Sequence, residues 1–382
     1  MARELILGVE TSCDDTSAAV VASDGTVQSS LVVSQADLHT QFGGVWPEVA
    51  SRVHIAKVIP AVKEALAVAG VRAPDLHSIA VTRGPGLIGS LMVGVDTARA
   101  LGLGWHLPVN GINHLRGHLR SADLEEQRVR YPAVVLLVSG GHTLLAFMKA
   151  TDSIELVGST LDDSVGEAYD KVARMLGLGY PGGPVVDRLA REGVPRYPLP
   201  RPMMQDPELR KTLNFSFSGL KTAVRNLIER TPDALKADVA ASFVEACMDV
   251  LLFRARACLE RFLPRSFVVV GGVSASPQLR ERTTMLCAEL GVSACLPPVK
   301  WSTDNAAMIA LAGAERLALG LSDTLDTPAL PRGITGIIHC LNSRCPFGTI
   351  TQVPGSKVGL VRSALFADHP RMSSTLARSC CM

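Results

Sequence analysis

The chain alternates short apolar runs with polar turns before it settles into longer helical spacing, and it does this twice. Leu5 to Val9 is apolar and ends in Glu10-Thr11-Ser12-Cys13-Asp14-Asp15-Thr16. Ala18 to Ala22 follows, then the hairpin signal Asp24-Gly25, then Val27 to Val33. This pattern predicts a three-stranded meander with hydroxyls and carboxylates in its first turn. A helix is expected over 47–70, with Pro47 near its start and Gly70 at its end. Ser78 to Thr82 reads as a buried strand, 87–103 as a helix, and Pro108 to Ile112 as the next strand. From Tyr131-Pro132 the meander recurs. Ala133 to Val138, Thr143 to Met148 and Ile154 to Gly158 are its strands, and Ser139-Gly140-Gly141-His142 is its first turn. Helices are expected over 164–176, from Val185, over 218–229 and over 233–262. The strand Phe267 to Val270 and a helix through Leu290 come next. A last helix over 304–319 is expected to be capped by Thr303 or Asp304.

Two such halves predict an α/β protein with a duplicated fold and a cleft between two lobes. The expected limits are 1–130 for the first lobe, completed by the 304–320 helix, and 131–303 for the second. A tail of atypical composition, expected to be poorly ordered, covers 333–382.

Composition sharpens this outline. The chain has 382 residues, 47% of them hydrophobic and 19% charged, enough apolar material for full cores. Aromatic residues make up 4%, which argues against a surface that stacks base after base. The net charge is +2, but residues 331–382 carry six Lys/Arg and one Asp, so the remainder stands near −3. Between Arg188 and Arg230 nine Lys/Arg face four acids, which reads equally as an RNA surface or a solvated face. Nine cysteines without a Cys-x-x-Cys motif point to reduced thiols. No run reaches membrane-spanning length and the N-terminus leads straight into a strand, so a cytoplasmic protein is expected.

The chemistry concentrates at a few places. His114 and His118 lie four residues apart, one turn along a single helix face, where two imidazoles can grip one metal ion. Asp304 is the third ligand this reading selects. The zinc-protease pattern requires Glu after the first His; Leu115 stands there, which argues against peptidase chemistry. Glycine turns at 139–141 and 271–272 offer backbone amides to phosphate, and the one at 84–86 reads equally as an anion site or as a plain tight turn. Asp170 and Asp187, near Gly183, read as ribose ligands or as capping residues. His339, Cys340 and Cys345 are a weaker zinc set whose spacing fits no standard module.

Seven segments together resemble one family. They are Gly8-Val9-Glu10-Thr11-Ser12-Cys13-Asp14-Asp15, His114-x-x-x-His118, Leu137-Val138-Ser139-Gly140-Gly141-His142-Thr143, Tyr180-Pro181-Gly182-Gly183-Pro184, Phe215-Ser216-Phe217-Ser218-Gly219-Leu220-Lys221, Gly271-Gly272-Val273-Ser274 and Thr303-Asp304-Asn305. In order, over about 4–332, they resemble the tRNA threonylcarbamoyladenosine synthases, formerly called O-sialoglycoprotein endopeptidases, in their bacterial cytoplasmic branch.

The resemblance implies the actin-like ATPase (ASKHA, RNase H-like) fold. It implies transfer of a threonylcarbamoyl group from threonylcarbamoyl-adenylate to N6 of adenosine 37 in tRNAs reading codons that begin with A, releasing AMP. It implies one divalent metal, Fe2+ with Zn2+ as the alternative, on His114, His118 and Asp304. It implies adenylate contacts from Leu137, Val138, Ser139, Gly140, Gly141, Asp170, Gly183 and Asp187, with Ser276 where the family usually has Asn. No catalytic side chain separable from the metal ligands is implied. The expected partners are tRNA, a dimerising paralogue of the same fold and a small P-loop ATPase, with a docking surface on helices such as 47–70 and 87–103. Arg116 stands where the family usually has Glu, and would raise positive charge beside the metal, for tRNA. The alternatives are another acyl-transfer enzyme or a kinase on the same fold, the former a carbamoyltransferase, and a non-catalytic nucleotide-binding scaffold.

Overall fold

A computed structural model of the chain describes residues 3–125 and 129–332. The tail from 333, with His339, Cys340 and Cys345, lies outside the described residues. The first sheet takes β1 (Leu5–Glu10), β2 (Thr16–Ala22), β3 (Val27–Val33), then, after α1 (Ala36–Thr40) and α2 (Pro47–Ala69), β4 (Ser78–Gly84). Helix α3 (Ile88–Trp105) leads to β5 (Val109–Asn113), and α4 (His114–Arg120) follows at once. The second sheet takes β6 (Ala133–Val138), β7 (Thr143–Ala150) and β8 (Ser153–Ser159). Helices α5 (Val165–Met175), α6 (Gly182–Ala190), α7 (Pro207–Arg210), α8 (Ser218–Arg230) and α9 (Lys236–Phe262) intervene before β9 (Ser266–Val270). Then come α10 (Pro277–Leu290), β10 (Ser293–Cys295), α11 (Val299–Ser302) and α12 (Ala306–Ala318).

The strand orders are β3-β2-β1-β4-β5 and β10-β9-β6-β7-β8. Read from the meander side, the two are the same. In each, the meander is antiparallel and two further strands add in parallel beside its first strand. The duplication expected from the recurring pattern is therefore present in the topology. Strands β1, β2, β6 and β9 are buried on both faces, which is why they read as near-continuous apolar runs.

The cores show which helix covers which face. Leu7, Val9, Val20 and Ile79 pack against Val58, Val62 and Val95 of α2 and α3. On the other face Ile6, Ala19 and Ala80 pack against α12. In the second sheet Val134, Leu136 and Val138 meet α5 and α9, whereas Val135, Leu137 and Val268 meet Leu115 and Leu119 of α4. The helices are thus exchanged. Helix α4, which follows the first sheet, covers the second; α12, which follows the second, covers the first.

Small residues allow this exchange. A Cβ on Gly8 would lie 2.1 Å from the Ala306 carbonyl oxygen, and one on Gly313 would lie 2.4 Å from Ala80 Cβ. Where α4 crosses α12, a Cβ on Gly117 would lie 2.7 Å from Ile309 Cδ1.

Several boundaries differ from expectation for local reasons. Helix α12 begins at Ala306 because Asn305 is its cap, accepting from Met308 N at 3.0 Å. A cap of this kind is worth about 1 kcal/mol, and it leaves Asp304 outside the helix. Helix α6 begins at Gly182 rather than Val185, with Pro184 inside its first turn where a missing N–H costs nothing. The segment 193–212 holds one helical turn, α7, capped by Asp206.

Replacing Gly8 with Ala should push the start of α12 off β1. We expect a loss of about 1–3 kcal/mol in urea denaturation of the Gly8→Ala protein. Unchanged stability would contradict this packing.

Candidate metal centre and cleft

Helix α4 starts where β5 ends because Asn113 Oδ1 accepts from both Leu115 N and Arg116 N, at 3.0 and 3.2 Å. Its one-turn spacing sets the His114 and His118 rings edge to face, with centroids 4.7 Å apart. Asp304 arrives from the segment before α12. Its Oδ1 lies 3.0 Å from His118 Nε2 and 3.6 Å from His114 Nε2. One donor atom from each of the three residues lies within 4.8 Å of the others. The two histidines and the aspartate, 186 residues apart along the chain from His118 to Asp304, therefore meet where the exchanged helices begin.

The surroundings orient the set. His114 Nδ1 lies 3.1 Å from Glu10 Oε2 and 3.2 Å from Ser12 Oγ, so its Nε2 faces Asp304. A carboxylate behind a histidine fixes its tautomer and raises its basicity as a ligand. Glu10 is itself fully buried and held by Thr82 Oγ1 and by Ser12 N. His118 Nδ1 is buried with no hydrogen-bond partner, leaving that ring tied through Nε2 alone. Two imidazoles and a carboxylate directed at one point suit a divalent ion of the zinc or iron type.

Charge in this pocket is strongly coupled. Burial pulls the His114 pKa down, but the Asp304 and Glu10 carboxylates outweigh it and raise it to about 9. For Asp304, burial pushes upward and the neighbouring His114 and His118 hold it well below the usual carboxylate range. His142 goes the other way: burial and then the two histidines push it down to about 4, so it is neutral at pH 7. Glu10, Ser12 and His142 belong to this site although sequence reasoning did not select them. Their signal was the polar triplet closing a buried strand and the His closing the glycine turn.

Beside the histidines, Gly140 and Gly141 join β6 to β7, with Ser139 N donating to His142 O at 2.8 Å. Ser164 Oγ donates to Gly140 O at 2.6 Å while capping α5. A Cβ on Gly166 would lie 2.6 Å from Ser139 O, so α5 seats directly on this turn. Cβ positions at Gly140, Gly141, Gly183 and Gly272 meet no atom within 4 Å. Open space therefore borders all four. Leu137 and Val138 bury their side chains in opposite cores, so only their backbone can reach a ligand. Gly271, at φ 93°, brings its backbone against the Val138 carbonyl.

Asp170 Oδ1 accepts from Gly182 N at 2.7 Å, and Asp187 Oδ1 accepts from Tyr169 OH at 3.2 Å. Both carboxyls are raised by burial; the Gly182 amide, for Asp170, and the Ser276 and Tyr169 hydroxyls, for Asp187, pull the other way. Asp170 thus ties α5 to the start of α6, the structural role its position also allowed.

Three other expectations change. The turn at Gly84–Gly86 is not open to an anion: Gly86 N donates to Pro331 O, Leu87 N donates to Ser12 O, and a Cβ on Gly86 would lie 2.5 Å from that same Ser12 oxygen. This turn fastens the β1–β2 loop to α3. Arg116 does not add charge for RNA; it is 3% exposed and pairs with Glu315. In the basic stretch Arg196, Arg201, Lys211, Lys221 and Arg225 are engaged by acids of the chain, which favours the solvated, self-paired face.

A family model described as TsaD, tRNA N6-adenosine threonylcarbamoyltransferase, matches residues 26–311. A protein of that name from Symbiobacterium thermophilum is 47% identical over 335 residues, covering 87% of this chain and 97% of the relative. Another from Thermosipho africanus is 42% identical over 330 residues, covering 86% and 98%. The chain belongs to the tRNA N6-adenosine threonylcarbamoyltransferase family. Membership of this family makes it a transferase acting on tRNA, as the motif resemblance implied, and agrees with a divalent metal at a His-His-Asp set. Among solved structures, T. kodakarensis HypF aligns with a TM-score of 0.56 at 14% identity, covering 83% of this chain and 48% of that one. Component A of the Acidaminococcus fermentans (R)-2-hydroxyglutaryl-CoA dehydratase gives 0.50 at 13%, covering 82% and 99%. These likenesses support the actin-like fold alone. Among the described residues no helix is long and apolar enough to cross a membrane.

Because His114 carries a proton at pH 7 in the metal-free chain, a metal ion must displace it. The sign follows. The imidazolium stabilises the metal-free fold fully below its ordinary value near 6.5 and ceases to do so as pH rises through about 9. Metal uptake at pH 7 should therefore release about one proton, falling toward zero above pH 9. Calorimetry in buffers of different ionisation enthalpy measures it; no proton release at pH 7 would contradict the assigned charge state.

Proposed function

We propose that the cleft holds threonylcarbamoyl-adenylate, with its AMP part along the glycine turns and its carbamoyl carbonyl toward His114, His118 and Asp304. The acceptor is N6 of adenosine 37 in tRNAs reading codons that begin with A. The observation that carries the reading is the His-His-Asp set together with Leu115, between its two histidines, packing in one core with Leu137 of the strand that leads into the Gly140-Gly141 turn. Backbone of Leu137, Val138 and Ser139, with Gly140, Gly141, Gly183 and Ser276, lines the nucleotide side. Asp170 and Asp187 each keep one carboxylate oxygen for ribose or amine donors.

An exocyclic amine is a weak nucleophile, so acyl transfer to it needs a polarised carbonyl, a held leaving group and close approach. A divalent ion on His114, His118 and Asp304, Fe2+ in our reading with Zn2+ as the alternative, supplies the polarisation as a Lewis acid. Glu10 orients His114 by accepting at Nδ1. The glycine turns let backbone amides approach the adenylate phosphate, which stabilises the departing AMP. The fold alone also admits a kinase, a carbamoyltransferase or an inert scaffold; the family match favours none of them.

The domain limits proposed are 1–130 with the 304–320 helix, and 131–303. The proposed working assembly is cytoplasmic and includes a paralogue of the same fold and a small P-loop ATPase. An apolar groove of about 370 Å3 between α2 and α3, lined by Ile55, Val58, Ile59, Val93 and Leu101, supports a docking site for the paralogue. Ile55 is 65% exposed there.

Two experiments test these assignments. Purified chain, paralogue, ATPase, threonine, bicarbonate, ATP and unmodified tRNA should yield threonylcarbamoyladenosine. His114→Ala should lower the rate at least about 100-fold in a folded protein. A parental rate in that variant would sink the metal assignment. Ile55→Asp should weaken paralogue binding by about tenfold or more, read by titration calorimetry, while leaving metal uptake unchanged. Unchanged affinity would move the partner to another face.

A further inference from the structure

On the side of α4 away from His114 and His118, Arg116 and Arg120 are also one turn apart, and both are buried. Both reach one carboxylate on α12. Arg116 Nη2 hydrogen-bonds Glu315 Oε2, and Arg120 Nε forms an ion pair, without a hydrogen bond, with Glu315 Oε1 at 2.6 Å. The same Arg116 nitrogen donates to the Thr151 carbonyl at 3.3 Å, in the turn between β7 and β8 of the second sheet. Arg120 completes the group by pairing with Asp123 and meeting Tyr131 OH at 2.7 Å. Two cations and two carboxylates balance, so the cluster is neutral as a whole.

Its placement gives it a role. Asp304 precedes α12 and Glu315 lies near the end of that helix; His114 and His118 share α4 with the two arginines. Apolar contacts at Gly117, Met308 and Ile309 let two helices slide or rotate with little change in energy. A planar guanidinium whose N–H groups point in fixed directions does not. We propose that Arg116, with Arg120 and Glu315, is a positioning residue of the metal centre. The buried ion pairs set the register of α4 against α12, and through it the spacing of His114 and His118 from Asp304. Thr151 extends the hold to the second sheet, so the clamp joins both halves on the face of α4 opposite the ligands.

The inference rests on the proposed metal centre, and the test separates the two. Co2+ is titrated into the full chain in competition with a chromophoric chelator, and the visible spectrum of the bound ion is recorded. Arg116→Met and Arg116→Lys are compared with the parent. Lys keeps the charge, and so the fold, but its freely rotating ammonium on a flexible stem lacks the fixed N–H directions with which Arg116 Nη2 joins Glu315 to Thr151. We expect an affinity loss of about 10- to 100-fold for Met, a smaller loss for Lys, and shifted visible bands in both. Should the Met protein not fold, the Lys protein decides. Affinity within twofold of the parent and unshifted bands in a folded variant would overturn the clamp, whatever the melting temperature does. A parent that takes up no Co2+ would instead overturn the metal centre on which the clamp depends.

Discussion

The crossing of α4 and α12 is the contact on which the rest of this molecule depends. Each helix leaves its own sheet and covers the other, so neither sheet completes its core without the other half of the chain. The burial that stabilises the fold is therefore the same burial that brings His114 and His118 to Asp304. Close approach is what this arrangement needs: Gly117 provides it where α4 crosses α12, and Gly8, Gly313 and the alanines of α12 provide it where α12 lies on the first sheet. A larger side chain at any of these places moves a helix that carries a proposed ligand, α4, or that directly follows one, α12.

Two kinds of interaction divide the work at this crossing. Apolar packing supplies most of the free energy but tolerates small sliding motions. Directional contacts then select one arrangement: Glu10 on His114, Asn113 and Asn305 at the two helix starts, and the Arg116–Glu315 hydrogen bond on the far side. A buried ion pair is a weak source of net stability, because desolvation offsets most of its attraction. Its value here is geometric. The cleft beside it needs the opposite property, room, and glycines at 140, 141, 183 and 272 leave that room beside a rigid turn.

Much of this was legible in the chain itself. The recurring meander announced the duplication, and apolar runs announced strands covered on both faces. The i, i+4 histidines and the motif order pointed to the site and the family. What stayed hidden was long-range. Arg116 looked like surface charge because its partner, Glu315, lies 199 residues away. Glu10 read only as one of several polar residues in a turn, since nothing local says that Thr82 and His114 enclose it. Gly84–Gly86 had the composition of an anion turn, and only tertiary contacts with Ser12 and Pro331 reveal its different use. Thr303, Asp304 and Asn305 are all good caps, and sequence cannot say which of three adjacent capping residues the helix takes.

The central claim is that a metal ion sits between the exchanged helices on nitrogen and oxygen donors alone. X-ray absorption at the metal edge of the loaded protein tests it most directly. The account predicts two imidazole nitrogens and carboxylate oxygen near 2.0–2.2 Å, with one imidazole lost in His118→Ala. Sulfur scattering near 2.3 Å would contradict it, and would move the ion to cysteines elsewhere in the chain.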